Sequence, residues 1–387
     1  MRPAHLLPTV VFAQFAGTSL WFAVNAVLPD LQQQFPDIQN FLPTMTAAVQ
    51  LGFVVGTLMY AWQSIADRFS PVRVFVVSTI VAAGTNLLLL IFHTSLYELV
   101  ALRFTVGFFL AGVYPVGMKI CSDWYERGLG KALGYLVGAL VLGTAFPHLL
   151  KALSLHMDWR WVILATSGLA LSGAMFMGLL VRDGPFRRPL GKFNPGVLGL
   201  AFRQKLYRTY AFGYFGHMWE LYTFWAFTPV IIGLYNRATG DALDVSGWSF
   251  GIIAMGALGC ALGGELSLHW GSRRLAFGAL LASTLCCLIS PLMVWFPPIV
   301  FLVFMMVWGT SVVADSPQFS ALVAQNALPE YRATAITIVN SIGFFITIPS
   351  LYCMQWAFTQ ISERNSFILL ALGGIFGLGS IWGARKH

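Results

Sequence analysis

Charge is what this sequence has least of. Asp, Glu, Lys and Arg make up 10% of its 387 residues, against about a quarter in an ordinary soluble domain. A chain so poor in charge could not cover itself in water, so a large soluble enzyme is excluded at the outset. Cysteine is also scarce. The five residues Cys121, Cys260, Cys286, Cys287 and Cys353 form no CxxC and lie in or beside apolar runs. That excludes a disulfide framework and a zinc site and leaves them as small packing residues. No HExxH, no His cluster with carboxylates and no phosphate-cradling Gly loop with Lys occurs, so no enzyme, metal site or cofactor is expected. The first apolar run, 6–29, is too long for a signal peptide. It ends in Pro29-Asp30 without a small-x-small cleavage pattern, and is read as a retained span.

What is present is hydrophobicity. Apolar residues make up 57% of the chain and the mean hydropathy is +0.73. A membrane-spanning helix needs about 20 apolar residues. Twelve such stretches can be laid out: 6–29, 43–66, 71–93, 96–119, 129–151, 159–181, 208–234, 246–268, 274–296, 298–323, 332–355 and 364–384. They lack barrel-type alternation, and every backbone amide in lipid must be paired internally. The expected fold is an all-α polytopic membrane protein. Twelve transmembrane helices would form two pseudo-symmetric six-helix bundles, 1–181 and 208–387, joined by a basic linker, 182–207.

The net charge of +8 does not point to nucleic acid, because the basic residues sit in short gaps between apolar runs. With both termini placed in the cytoplasm, eighteen of the 23 Lys and Arg fall on cytoplasmic segments, seven of them in 182–208. That is the positive-inside pattern. Short loops and the absence of any Asn-x-Ser/Thr sequon lead to an expected bacterial inner membrane. The expected partners are the bilayer and a small solute, and the expected state is a monomer.

The chain carries a weak internal repeat. Asp67-Arg68-Phe69-Ser70-Pro71-Val72-Arg73 follows span two, and Leu268-His269-Trp270-Gly271-Ser272-Arg273-Arg274 follows span eight, 201 residues on. Spans four and ten share a Gly-then-Pro spacing, Gly107 with Pro115 and Gly309 with Pro317. Transporters are often built from such repeats, with the solute site near the midplane. On these residues the whole chain resembles the major facilitator superfamily. That family's loop between spans two and three, Gly-x-x-x-Asp-Arg-x-Gly-Arg-Arg/Lys, is kept as Asp67, Arg68 and Arg73, with Gln63 and Ser70 in the glycine positions. The second copy keeps Gly264, Gly271, Arg273 and Arg274 but has Leu268 for the acid. Arg103 and Gly107 match the family's Arg-x-x-x-Gly pattern in span four. Span five lacks the Gly-Pro-x-x-Gly-Gly run of drug/proton antiporters, and spans two and eight lack the intramembrane Arg of nitrate/nitrite carriers. The resemblance implies a cytoplasmic latch of Asp67, Arg68, Arg73, Glu126 and Arg127, in which helix ends and opposite charges hold loops together. A second latch is expected from Glu265, Arg273 and Arg274.

Ionisable groups inside the bilayer cost at least about 2.5–3.5 kcal/mol on the insertion scale and are functional candidates by default. Arg103 in span four needs an anionic partner, either a carboxylate or an anionic substrate; the structural alternative is an Arg that pairs with carbonyls of span one or snorkels outward. His217 and Glu220 in span seven, three residues apart, share a helix face. A carboxyl near the midplane is suited to load and release a proton, and His217 could share it. Asp315 lies deep in span ten, where it could partner a basic group or close an inner gate. Asn25 in span one gains weight because spans one, four, seven and ten usually line the family's cavity. Gln50, Asn86 and Asn340 are read as interhelical hydrogen-bonding residues. The expected function is a secondary active transporter for a small, possibly anionic organic solute, with H+ as the coupling ion. The alternatives are a lipid or amphiphile carrier or exporter, and a non-transporting lipid-binding or signalling member of the fold.

Overall fold

The computed structural model describes residues 3–36, 38, 40–125, 129–153, 158–187, 196–328 and 331–383. Two expected latch residues, Glu126 and Arg127, lie outside them. Every regular element among the described residues is helical. Ten helices are long and apolar enough to cross a membrane. Large apolar side chains such as Leu179, Val303 and Phe345 stand on their outer faces. Apolar surface of that extent is covered by lipid rather than water.

The first and seventh expected spans do not meet the same criterion, each for its own reason. The first is a helix of 13 residues, Leu6–Thr18, followed by the short helices Ala23–Ala26 and Leu28–Gln32. The seventh is a single helix of 35 residues, Lys205–Thr239. It runs past both expected ends and stops where Gly240 adopts a left-handed φ of 79°, a conformation open to glycine. Its Tyr, His and Glu residues lower its hydropathy, and most of them are buried.

Spans four and ten are both broken. Span four divides into Leu96–Leu110 and Tyr114–Trp124, and span ten into Pro298–Ala314 and Ser316–Asn326. Pro115 and Pro317 stand in the first turn of each second piece. A proline there lacks the N–H that a continuous helix would use and crowds the preceding turn. Both second pieces extend beyond the expected ends of their spans, to Trp124 and Asn326.

The chain divides into two compact units, Met1–Phe193 and Asn194–His387. Each repeats the same close helix approaches. In the first, a Cβ on Gly107 would collide with the Val49 carbonyl and one on Gly56 with the Phe108 carbonyl. In the second, Gly309 meets the Ile252 carbonyl and Gly259 the Thr310 carbonyl, 202 or 203 residues along. Gly173 likewise packs on Ala13 and Ala16, and Gly373 on Gly216 and Trp219. Small residues let helix backbones touch where lipid supplies no hydrophobic drive for association. The repeat is therefore one of packing as well as of sequence.

Candidate functional site

In the second unit the long helix of span seven positions Glu220. The side chain is fully buried. Its Oε1 accepts a hydrogen bond from Trp308 Nε1 at 2.7 Å and its Oε2 one from Ser283 Oγ at 2.9 Å. Span nine supplies Ser283 and span ten supplies Trp308, so three helices meet on one carboxyl group. A buried charge is tolerated only with such partners.

His217, one turn earlier on the same helix, does not pair with Glu220. Its Nδ1 lies 2.7 Å from Asp315 Oδ1, with both side chains buried. At that separation the two side chains are within reach of a shared proton. The structure thus places His217 against Asp315 rather than against Glu220. Three residues along a helix leave two side chains about 60° apart on the same side, and the neighbouring helices then decide what each meets. Asp315 sits at the break of span ten, between Ala314 and Ser316.

In the first unit Arg103 is also fully buried. Its guanidinium donates to the carbonyl oxygens of Leu20, at 3.2 Å, and of Trp21. Both lie in the non-helical stretch 19–22 that interrupts span one. Carbonyls released from a helix inside a membrane must find other donors, and the planar fork of Arg103 supplies two. Of the roles open to Arg103 in the sequence, the structure displays the pairing with span one. Asn25 Nδ2 donates to Thr46 Oγ1 at 2.8 Å, joining spans one and two. On the same face of span two, Phe53 packs on Trp21 with ring centroids 4.7 Å apart. Gln50 lies between Thr46 and Phe53 on that face, fully buried and with no hydrogen-bond partner among the described residues.

Asp67 is held by Lys119 Nζ at 3.1 Å, and the same ammonium lies 3.6 Å from Asp123. Arg187 donates to the carbonyls of Asp67 and Phe69, both at 2.7 Å, and pairs with Asp183 at 3.6 Å. Ser70 Oγ donates to Asp183 at 2.8 Å. Of the expected latch residues only Asp67 enters an ion pair among the described residues; Arg68 and Arg73 do not. Lys119, Asp123, Asp183 and Arg187 were missed. The spacing of Lys119 and Asp123, one helical turn apart, was the available signal. In the second copy Glu265 and Arg274 make no ion pair among the described residues, and Arg273 donates to the Ile381 carbonyl at 3.5 Å. Leu268 stands in place of the acid of the first copy.

Among the described residues no group of three or more His, Cys, Asp or Glu is placed to hold a metal ion. The chemistry available is proton exchange at Glu220 and at the His217–Asp315 pair, and recognition by buried amides and a guanidinium.

Comparison with known proteins follows the same lines. The Major Facilitator Superfamily profile matches residues 10–351. A gentisate transporter from Corynebacterium glutamicum is 26% identical over 175 residues, 44% of this chain and 38% of that protein. A probable sulfoacetate transporter, SauU, from Cupriavidus necator is 24% identical over 146 residues, 35% of this chain and 34% of that protein. The matched stretches thus span little more than a third of either relative's length. Among solved structures, a bacterial homologue of the human lysosomal transporter Spinster, inward-facing and unoccupied, superposes with a TM-score of 0.74 at 14% identity, covering 100% of this chain and 98% of that one. A D-xylose-proton symporter superposes with a TM-score of 0.78 at 11% identity, covering 97% and 96%. At such identities the likeness is one of fold.

Proposed function

The chain belongs to the Major Facilitator Superfamily, and from that premise we propose that it is a secondary transporter carrying a small organic anion together with protons, by alternating access. The protein is an integral membrane protein, with ten helices of membrane-spanning length and composition. The observation that carries the proton reading is the clasp on Glu220. A carboxyl group buried among Ser283, Trp308 and apolar neighbours can be ionised while its donors hold it, or neutral when a proton replaces that need. Each state favours a different arrangement of spans seven, nine and ten, and a group that biases two states can couple a proton to movement. The His217–Asp315 pair supplies a second place for a proton, against the break in span ten.

The anion reading rests on the relatives and on Arg103. The two relatives are named for gentisate and sulfoacetate, and both are small organic acids. Arg103 is a fixed buried cation, and the positive field it adds favours an anionic cargo near it. On the family pattern, the Asp67–Lys119–Asp123 cluster acts as the cytoplasmic latch. The same reading places both termini in the cytoplasm of a bacterial inner membrane and the protein as a monomer.

The test is uptake into proteoliposomes, using gentisate and sulfoacetate as probes under an imposed pH gradient. Glu220→Gln keeps the shape and the hydrogen bond from Trp308 but cannot exchange a proton. The expected result is retained solute exchange at zero gradient and loss of gradient-driven accumulation. If the Gln variant still concentrates solute against its gradient, proton coupling at Glu220 is wrong.

A further inference from the structure

Within the second unit there is a cavity of about 390 Å³ that the carrier reading does not use. It opens at the end of span seven that bears Arg237 and reaches inward to Trp308. Its wall is built of rings. Tyr235 and Phe301 stack face to face with centroids 4.0 Å apart and planes 11° apart, and Phe304, Trp308 and Phe367 complete the lining. At that spacing the two rings fill the gap between them, so a planar apolar body lies against the ring faces and edges that line the cavity, contacts that favour rings over flexible chains. Pockets of roughly 300–1,000 Å³ are the size that takes small ligands, and this one suits a one- or two-ring molecule.

The mouth is charged and the charges do not cancel. Arg237 is paired with Glu363 at 2.9 Å. Arg364, also lining the cavity, makes no ion pair among the described residues and lies over the Trp295 ring at 5.2 Å. One cation is therefore left to meet an anionic head, beside an apolar interior. A lipid would satisfy the head equally well, but an acyl chain gains less than a ring does from a wall of aromatic side chains.

We propose that this cavity is a second binding site, separate from the carrier's own solute site, for a planar aromatic carboxylate whose ring lies among Tyr235, Phe301 and Trp308 and whose carboxylate faces Arg364. Its inner wall is the indole that holds Glu220, so an occupant rests against the residue that positions the proton-exchanging group. Occupancy is thereby set to modulate transport.

The experiment is equilibrium titration of the purified full-length protein, with 1-naphthoate as probe and no transport step. The neutral 1-naphthamide and the acyclic hexanoate are the controls. Expected is saturable naphthoate binding that weakens at least tenfold with the amide, with hexanoate, with Arg364→Ala and with Ala238→Trp, which plugs the mouth. Arg364→Gln replaces the Ala variant if that protein has a lowered unfolding midpoint. The proposal is overturned if either the plugged or the rim variant binds naphthoate with wild-type affinity. It is also overturned if the amide or hexanoate binds as tightly. None of these failures touches the Glu220 reading, which stands or falls on gradient-driven uptake.

Discussion

At the scale of single residues, Arg103 shows how far a sequence can go and where it stops. A guanidinium inside an apolar span is conspicuous because of its desolvation cost, so the residue was legible, and so was the choice between an anion and the carbonyls of span one. The outcome was not legible, because it depends on a break in span one that no local signal announces: residues 19–22 contain neither Gly nor Pro. Glu220 was legible for the same reason as Arg103, whereas its partners Ser283 and Trp308 lie 63 and 88 residues away and follow only from the packing. The clamp makes a prediction. Lys offers one point charge where Arg offers a fork, so Arg103→Lys should leave one of the two carbonyls without a donor. A hydrogen bond to a charged group contributes about 1.5–3 kcal/mol, and the apparent unfolding midpoint in detergent should fall accordingly. A Lys variant with wild-type thermal stability but abolished uptake would assign Arg103 to the solute and remove the clamp.

At the scale of helices, the ten apolar spans were legible from hydropathy, because a stretch of about 20 apolar residues has few other uses. The breaks in spans four and ten were half legible. Pro115 and Pro317 are visible in the sequence, but Pro147, Pro229 and Pro349 lie inside unbroken helices, so a proline alone does not announce a break, and the two second pieces run on to Trp124 and Asn326, beyond the fall in hydropathy. That extension is what brings Lys119 and Asp123 onto one face. The helix contacts depend on glycine at a few positions. A side chain on Gly107 would run into the backbone of span two at Val49, whereas Gly84 in span three has nothing within 4 Å of its would-be Cβ. Gly107→Val should therefore force the two helices apart and destabilise the protein by about 1–3 kcal/mol, the usual cost of overpacking. Gly84→Ala should be neutral or slightly stabilising, since alanine is the better helix former. Thermal unfolding of the two variants side by side checks this, and equal midpoints would mean that spans two and four are not packed as described.

At the scale of the whole molecule, the two units share a packing scheme but not a charge scheme. The first unit buries a cation, Arg103, and gathers Asp67, Lys119, Asp123, Asp183 and Arg187 at one end. The second buries acids, Glu220 and Asp315, and has Leu268 at the place corresponding to Asp67. The repeat in sequence was legible because glycines and loop charges recur at nearly constant offset. The difference in charge was visible too, but its consequence, the tied end of the first unit, needed Arg187 brought onto the carbonyls of Asp67 and Phe69. The centre of that end is Lys119, which serves two nearly buried carboxylates. Removing the cation strands both, and breaking a buried pair in this way costs roughly 3–5 kcal/mol. Removing one anion leaves the lysine with the other. Lys119→Met should thus lower the unfolding midpoint far more than Asp67→Asn does. Hydrogen exchange read by mass spectrometry should show faster exchange at residues 64–70 in the Met variant, because the tie between that loop and span four is gone. The Asn variant should keep its fold and still slow uptake, since the contact it loses is the proposed latch. If Asp67→Asn proves the more destabilising of the two, Lys119 is not the centre of that end; if exchange at 64–70 is the same with and without Lys119, its ion pairs have no part in holding the loop.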